Sequence, residues 1–335
     1  MLNRPKTWLA AAAALSFLVA CFEKSIDPYY FDILITIGIN ILLGVGLNLV
    51  NGYTGQFSLG HAGFMAVGAY LSAALTVFWG EGLQGFFGGG AIPLLCALMA
   101  GGLGAAAAGV AVGVPSLRLK GDYLAIVTLG FGEIIRVILQ NTEAVGGPRG
   151  FSLPGKPPEY FFFWTYLWAA FAVYVIVLLV HSTYGRGFLA VRDDEIAAEA
   201  MGINTTKYKV LAFVIGAFFA GIAGGLYAHF KQFITPEGFN FLRSVDIVVI
   251  VILGGMGNTP GVIAAAVLLT ILPEGLRALA GWEALPERFA QIIRNRMILY
   301  SLLLIVLMLT RPQGLFSGSG RLKKWIAAAR SLKRS

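Results

Sequence analysis

Polar and small residues recur at every fourth position of one apolar stretch, which contains Thr36, Asn40, Gly44 and Asn48. Side chains four residues apart lie on one face of an α-helix, so these residues form a polar stripe. Amide and hydroxyl groups on such a stripe either bond to neighbouring helices or line a polar passage through the protein. The spacing favours packing between helices and leaves a passage as the second interpretation.

Charged residues of opposite sign also occur close together in apolar stretches. Glu133 and Arg136 are three residues apart, so they can pair on one face of a helix, and Arg243 and Asp246 have the same spacing. Charge inside an apolar segment is a candidate for function. Because each acid has a base nearby, a structural ion pair fits the sequence at least as well as a proton relay.

Enzymatic chemistry has almost no support in this sequence. His61, His181 and His229 lie in different segments and predict no metal site. The phosphate-binding pattern Gly-x-x-x-x-Gly-Lys-Ser/Thr is missing from the chain, so the chain cannot itself drive transport by nucleotide hydrolysis. We therefore predict a protein that is not an enzyme and has no cofactor.

The composition indicates whether these residues lie in water or in a membrane. The chain has 335 residues, of which 57% are hydrophobic and 13% charged, against about 25% charged residues in a typical soluble domain. Residues 33–80 form a run of 48 positions without Asp, Glu, Lys or Arg, and about 20 apolar residues suffice to span a bilayer. The sequence excludes a soluble domain and predicts an all-α, polytopic integral membrane protein.

Turn residues and charges divide the apolar runs into ten predicted transmembrane helices, at about residues 7–22, 30–50, 58–78, 92–113, 123–140, 161–181, 209–230, 244–257, 260–280 and 293–310. The first could be read as a signal sequence, but we favour an uncleaved helix. With ten helices both termini lie on one side of the membrane, and basic residues in the short loops predict the cytoplasmic side. An offset of five helices would permit an inverted repeat, although the sequence shows no convincing self-similarity.

These helices predict one transmembrane domain over residues 1–316, followed by a basic cytoplasmic tail over 317–335. The net charge of +8 is concentrated in that tail, which indicates contact with anionic membrane lipid rather than with nucleic acid. Residues 141–160 are rich in glycine and proline and predict an irregular external loop that could dock another molecule.

The predicted inner loop, 182–209, has the signals of a short helix. Asp193 and Asp194 are suited to its start and Gly202 to its end, while Thr205 or Thr206 can cap the next helix. In the helix 193–202 one face is apolar and the other acidic. The apolar face holds Ile196, Ala197, Ala200 and Met201, and the acidic face holds Glu195 and Glu199.

Three segments resemble one family of membrane proteins. They are residues 51–64 (Asn-Gly-Tyr-Thr-Gly-Gln-Phe-Ser-Leu-Gly-His-Ala-Gly-Phe), 192–204 (Arg-Asp-Asp-Glu-Ile-Ala-Ala-Glu-Ala-Met-Gly-Ile-Asn) and 254–261 (Gly-Gly-Met-Gly-Asn-Thr-Pro-Gly). Together and in this order they resemble the LivM-type permease subunit of branched-chain amino acid ABC importers. Any one of them would also fit the sister LivH-type subunit. The resemblance runs from about residue 30 to the segment 311–316.

The resemblance implies a set of partners in the cell (inner) membrane of a prokaryote. These are a LivH-like second permease subunit, two cytoplasmic ABC ATPases, and an external or periplasmic binding protein that delivers leucine, isoleucine or valine. The helix 193–202 resembles the coupling helix that inserts into an ATPase, which implies this role for Asp194, Glu195, Ala197, Ala198, Glu199, Ala200 and Gly202. Candidates for the translocation path are Asn40, Gly44, Asn48, Ser58 and His61.

Three alternatives stay open at this point. Related permeases of similar sequence carry urea or short-chain amides. A self-sufficient secondary carrier would couple Glu133 or Asp246 to an ion. The helix 193–202 could also be a solvated loop helix. Genes for two ATPases and a secreted binding protein beside this one would favour the importer.

Overall fold

The computed structural model describes residues 26–87, 91–116, 121–153 and 160–280, together with positions 9, 14, 16–21, 23, 119, 302, 305, 306, 310, 314 and 315. In these residues the chain is an all-α membrane protein with one short two-stranded ribbon. The predicted helices 7–22 and 293–310 lie largely outside the described residues. The basic tail 317–335 lies wholly outside them.

Ten helices occupy the continuous described ranges. They are α1 (Pro28–Asn48), α2 (His61–Phe87), α3 (Ala91–Ser116), α4 (Asp122–Gln140), α5 (Phe161–Val180), α6 (Thr183–Asp193), α7 (Glu195–Ala200), α8 (Thr205–Lys231), α9 (Phe241–Gly254) and α10 (Thr259–Ala280). A π-helical turn, Leu49–Tyr53, extends α1, and 3₁₀ turns lie at Glu143–Val145, Gly147–Arg149 and Pro236–Phe239. The strands are β1 (Phe151–Ser152) and β2 (Phe233–Ile234).

Among the described residues, seven helices are long and apolar enough to cross a membrane, namely α1 with its π-helical turn, α2, α3, α4, α5, α8 and α10. Each matches one of the predicted helices. α1 is the most buried of them and α4 the least. The chain is therefore a multi-pass membrane protein with α1 near its centre.

The helix α9 is shorter than the span predicted at 244–257. It begins after Asn240, whose side chain accepts a hydrogen bond from the Arg243 amide at 3.1 Å, and it ends before Gly255, where φ is +91°. Its 14 residues extend for about 21 Å, whereas the hydrocarbon core is about 30 Å thick. Arg243 Nη2 donates to Asn40 Oδ1 at 3.0 Å, so α9 begins level with the middle of α1.

The ribbon and α7 lie at opposite ends of the helix bundle. Strand β1 precedes α5 and pairs antiparallel with β2, which follows α8; α6 and α7 connect the other ends of α5 and α8. We call these the ribbon end and the α7 end. The segment 141–153, predicted as irregular, contains two 3₁₀ turns and strand β1.

Close contacts between backbones hold α2, α3 and α8 together. A Cβ atom on Gly224 of α8 would overlap with the carbonyl oxygen of Met65 in α2. One on Gly221 would lie 2.5 Å from Ala105 Cβ in α3, and one on Gly109 of α3 would lie 2.8 Å from Ala217 Cβ. Such approaches are a main source of helix association in lipid, where apolar side chains gain little by leaving the solvent.

Candidate functional site

The three family-like segments meet at the α7 end of the bundle. Arg192 Nη1 at the end of α6 donates to the Gly52 carbonyl at 3.4 Å, and the Gly257 amide donates to Asn48 Oδ1 at 2.9 Å. A Cβ atom on Gly52 would overlap with Asn48 Oδ1 and with the Gly257 nitrogen. These four residues, which we call the junction, join the ends of α1, α6 and α9.

Part of the segment 311–316, at which the family resemblance ends, lies in the same region. The Leu315 amide donates to the Leu253 carbonyl at 2.8 Å, which provides a partner for one of the last carbonyl groups of α9. A Cβ atom on Gly314 would lie 2.5 Å from Gly255 Cα. The described residues 314 and 315 therefore pack on the end of α9 beside the junction.

Local capping shapes α7, which follows the junction directly. Asp194 Oδ1 accepts hydrogen bonds from the amides of Ile196 at 2.9 Å and Ala197 at 3.1 Å. At the other end Gly202 has φ +80°. Its amide donates to the Glu199 carbonyl at 2.9 Å, and the Ile203 amide donates to the Ala198 carbonyl at 3.0 Å. This is the Schellman arrangement that favours glycine. The predicted end at Gly202 is confirmed.

Two details of the predicted capping are wrong. Asp193 belongs to α6 and pairs with Arg192 at 3.0 Å, so only Asp194 caps α7. Asn204, rather than Thr205 or Thr206, caps α8, because its side chain accepts the Lys207 amide at 2.9 Å. Thr205 Oγ1 donates instead to Glu199 Oε1 at 2.6 Å.

Both acidic residues of α7 bind side chains of this chain, although Glu199 is itself exposed. Glu195 Oε1 lies 2.5 Å from Lys209 Nζ in the first turns of α8, and the Lys209 side chain is only 7% exposed. Glu199 is held by Thr205, as described above, and Ala198 is 5% exposed. A buried ammonium group requires a charged or strongly polar partner, so Lys209 fixes the orientation of α7.

The apolar face of α7 is exposed as a result. Ile196 is 73% exposed and Met201 82%, and Ala197 and Ala200 between them are also exposed. We call these four residues the α7 face. An ordinary surface helix directs its apolar residues inward, whereas clustered exposed apolar residues mark a contact surface. The α7 face can therefore bind an apolar cleft on another protein.

A cavity of about 350 Å³ with both polar and apolar walls lies between α1, α9 and α10. Asn40, which is 7% exposed, joins its walls, because its Nδ2 donates to Thr270 Oγ1 at 2.9 Å and its Oδ1 accepts from Arg243. The polar lining consists of Asp32, Thr36, Asn40, Arg243, Asp246, Thr270 and Glu274. We call this space the central cavity.

The other four candidates for a path do not line the central cavity. A Cβ atom on Gly44 would lie 3.0 Å from Ile250 Cγ2 and 3.1 Å from Val262 Cγ1, so this glycine allows close helix packing. Asn48, Ser58 and His61 are buried nearer the α7 end. The side-chain nitrogens Asn48 Nδ2 and His61 Nε2 have no hydrogen-bond partner among the described residues.

The sequence singled out some residues that line the central cavity but did not predict that they lie together. Thr36 was placed on the polar stripe with Asn40, while Arg243 and Asp246 were interpreted as a local pair. The predicted pair of Glu133 and Arg136 is confirmed at 2.6 Å. Arg243 acts on the charge of Asp246, but no direct ion pair of Asp246 is found among the described residues. The proximity of α9 and α10 to α1 has no signal in a single sequence.

Comparison with known proteins identifies relatives of this chain. It is 39% identical to the "High-affinity branched-chain amino acid transport system permease protein LivM" of Salmonella typhimurium over 247 residues, 64% of this chain and 55% of that protein. It is 30% identical to the "Probable branched-chain amino acid transport permease protein LivM" of Methanocaldococcus jannaschii over 60% of this chain and 62% of that protein. A LivH permease of Escherichia coli is 30% identical over 42% of this chain and 41% of its own length.

These matches cover little more than half the length of the LivM relatives. No solved structure matches the chain. A family described as "Branched-chain amino acid transport system / permease component" matches residues 29–308. Because this match covers most of the sequence, the chain belongs to the family of permease components of branched-chain amino acid transport systems.

Proposed function

We propose that this chain is one of two permease subunits of an ABC importer that carries leucine, isoleucine and valine across the inner membrane of a prokaryote. Partner ATPases supply the energy. The single observation that carries the proposal is the match of residues 29–308 to the permease family. The exposed α7 face next to the junction supports it, because a permease without a nucleotide loop requires a surface for its ATPase.

The partners correspond to different parts of the chain. An ABC ATPase binds the α7 face, a LivH-like subunit completes the permease, and a second ATPase serves that subunit. An external binding protein delivers the amino acid at the ribbon end. Within α7, Asp194 and Gly202 shape the helix, Glu195, Ala198 and Glu199 attach it to this chain, and Ala197 and Ala200 contact the ATPase with Ile196 and Met201.

Reconstitution tests the transport function. We expect proteoliposomes with this chain, its LivH-like partner, both ATPases and the binding protein to accumulate labelled leucine only when ATP is present. Unlabelled isoleucine and valine should compete, and urea and acetamide should not. The chain alone should give no uptake under a proton or sodium gradient, since it has no nucleotide loop. Gradient-driven uptake by the chain alone would instead indicate a secondary carrier.

The sidedness of the membrane is a second expectation. The basic residues of the loops predict that the α7 end is cytoplasmic and the ribbon end external. Single cysteines at Arg149 and Thr206, both exposed, in a background without Cys21 and Cys96, should react with a membrane-impermeant maleimide from opposite sides. Labelling of Arg149→Cys in intact cells and of Thr206→Cys only after lysis is the expected result. Labelling of both in intact cells would contradict this topology.

A further inference from the structure

The central cavity has the dimensions of a site for a small molecule. Its volume of about 350 Å³ lies in the range of roughly 300–1,000 Å³ that is usual for ligand pockets. Asp32 and Glu274 lie near the ribbon end, where Lys231 Nζ contacts Asp32 Oδ1 at 2.6 Å. Asn40 lies eight residues further along α1, about 12 Å deeper. The cavity thus extends from the ribbon end to the middle of the bundle.

The inner part of the cavity presents charge of both signs. Arg243 and Asp246 lie three residues apart on α9, so both project from one face of that helix. The carboxylates nearer the ribbon end have partners: Asp32 binds Lys231, and Glu274 accepts a hydrogen bond from Tyr29 and lies 3.7 Å from Arg277. Asp246 forms no direct ion pair among the described residues, although Arg243 stabilises its negative charge from the same helix. Within this part of the chain it is therefore the lining carboxylate that has no direct contact with a base.

The start of α9 adds to the positive side of this arrangement. The first amides of a helix carry a partial positive charge, which favours an anionic group nearby. Arg243 lies in the first turn of α9, and that turn begins at mid-depth beside Asn40. Positive charge at the start of the helix and negative charge at Asp246, one turn later, therefore lie side by side.

The remaining wall is apolar and branched. Ile33, Ile250 and Leu269 line the cavity together with Pro273. Pro273 lies inside α10 and cannot donate a hydrogen bond to the carbonyl of Leu269, four residues earlier. An aliphatic side chain would find apolar contacts here, while polar groups at its other end would face Arg243 and Asp246.

We propose that the central cavity binds an aliphatic α-amino acid in its zwitterionic form on the way through this subunit. Asp246 binds the ammonium group, Arg243 and the first turn of α9 bind the carboxylate, and Ile33, Ile250 and Leu269 contact the side chain. This proposal rests on the proposed function and adds a site to it. An uncharged urea or amide would make no use of the two adjacent charges.

Photolabelling of the complete transporter tests this site. Photo-leucine, a diazirine analogue of leucine, would be irradiated with the detergent-purified complex in the absence of binding protein, and labelled peptides would be identified by mass spectrometry. We expect labelling in α1, α9 or α10 at the lining residues. Unlabelled leucine should compete for the site and reduce the labelling. Two analogues should reduce it at least tenfold less effectively: 4-methylpentanoate, which lacks the ammonium group, and 3-methylbutylamine, which lacks the carboxylate.

Matched variants separate the site from the transport function. Asp246→Asn, and Thr36→Phe, which fills the cavity from the opposite wall, should each reduce labelling and ATP-driven leucine uptake at least tenfold while the complex still elutes intact and hydrolyses ATP. Glu237→Gln removes a charge from an exposed turn outside the cavity and should leave the labelling, which is measured without binding protein, unchanged. Labelling elsewhere, or wild-type uptake and labelling in both variants, would refute the site and leave the importer standing. A wild-type complex that transports urea but no leucine would refute the proposed function, and the site with it.

Discussion

The double variant Ile196→Asp/Met201→Asp should lose ATPase binding and reduce ATP-driven amino acid uptake by roughly 100-fold or more. Both side chains are largely exposed, so the permease itself should fold normally, since exposed substitutions usually change stability by about 0.5 kcal/mol or less. Loss of a hot-spot residue at the centre of an interface costs about 2 kcal/mol or more. At about 1.4 kcal/mol per tenfold change, one such loss lowers the affinity by a factor of roughly 30 and two lower it by a factor of several hundred.

Co-purification of the ATPases with the tagged permease measures binding, and proteoliposome uptake measures transport. The double variant Thr206→Asp/Lys207→Gln is a matched control, because it gives the same net charge change at two exposed positions of the same end. Normal ATPase retention and uptake in the Ile196/Met201 variant would eliminate α7 as the coupling element. Ala198→Arg would be a poor test, because Ala198 is buried in its own chain and a loss of transport could follow from misfolding.

We expect Gly224→Ala to lower the stability of the permease severely, although it adds one methyl group. The new Cβ atom would overlap with the Met65 carbonyl oxygen, and this backbone cannot rotate away as a flexible side chain could. Helices α2 and α8 must then separate along a contact that both share with α3. Overpacking of this kind costs about 1–3 kcal/mol or more, a large part of a typical stability of about 5–15 kcal/mol.

Thermal unfolding in detergent, followed by size-exclusion chromatography after heating, measures this effect. Gly130→Ala is the matched control: it is the same substitution in the membrane helix α4, where nothing lies within 4 Å of the added atom. The control should be neutral or slightly stabilising, because alanine favours helix more than glycine. Equal melting temperatures of the two variants would show that α2 and α8 can separate without loss.

The sequence predicted the long helices because hydrocarbon imposes a simple condition. A span must be apolar and must satisfy its backbone hydrogen bonds internally, so charge-free runs identify it. The condition does not determine where a helix begins in depth. The run around 244–257 is apolar enough for a span, yet α9 starts at mid-depth, where Arg243 meets Asn40. That contact joins residues about 200 positions apart and has no local signal.

The α7 face and the central cavity likewise depend partly on local sequence and partly on distant contacts. The spacing of the residues predicted two faces on α7, and the glycine at 202 predicted its end, because both features depend on neighbours in sequence. Which face points outward depends on Lys209, which lies in the next helix and binds Glu195. Likewise, the stripe placed Asn40 and Gly44 on one face, but only the packing of α9 and α10 decides that Asn40 lines a cavity and Gly44 a contact.

The junction links the two ends of the transport cycle thermodynamically. It connects α6, which leads into α7, to α1 and α9, whose other parts line the central cavity. If ATPase docking displaces the junction and thereby changes the affinity of the cavity for an amino acid, reciprocity requires that the amino acid change the affinity for the ATPase by the same factor. Binding of an amino acid in the cavity would then change the affinity for the ATPase before any nucleotide is hydrolysed. The four residues of the junction would transmit this change.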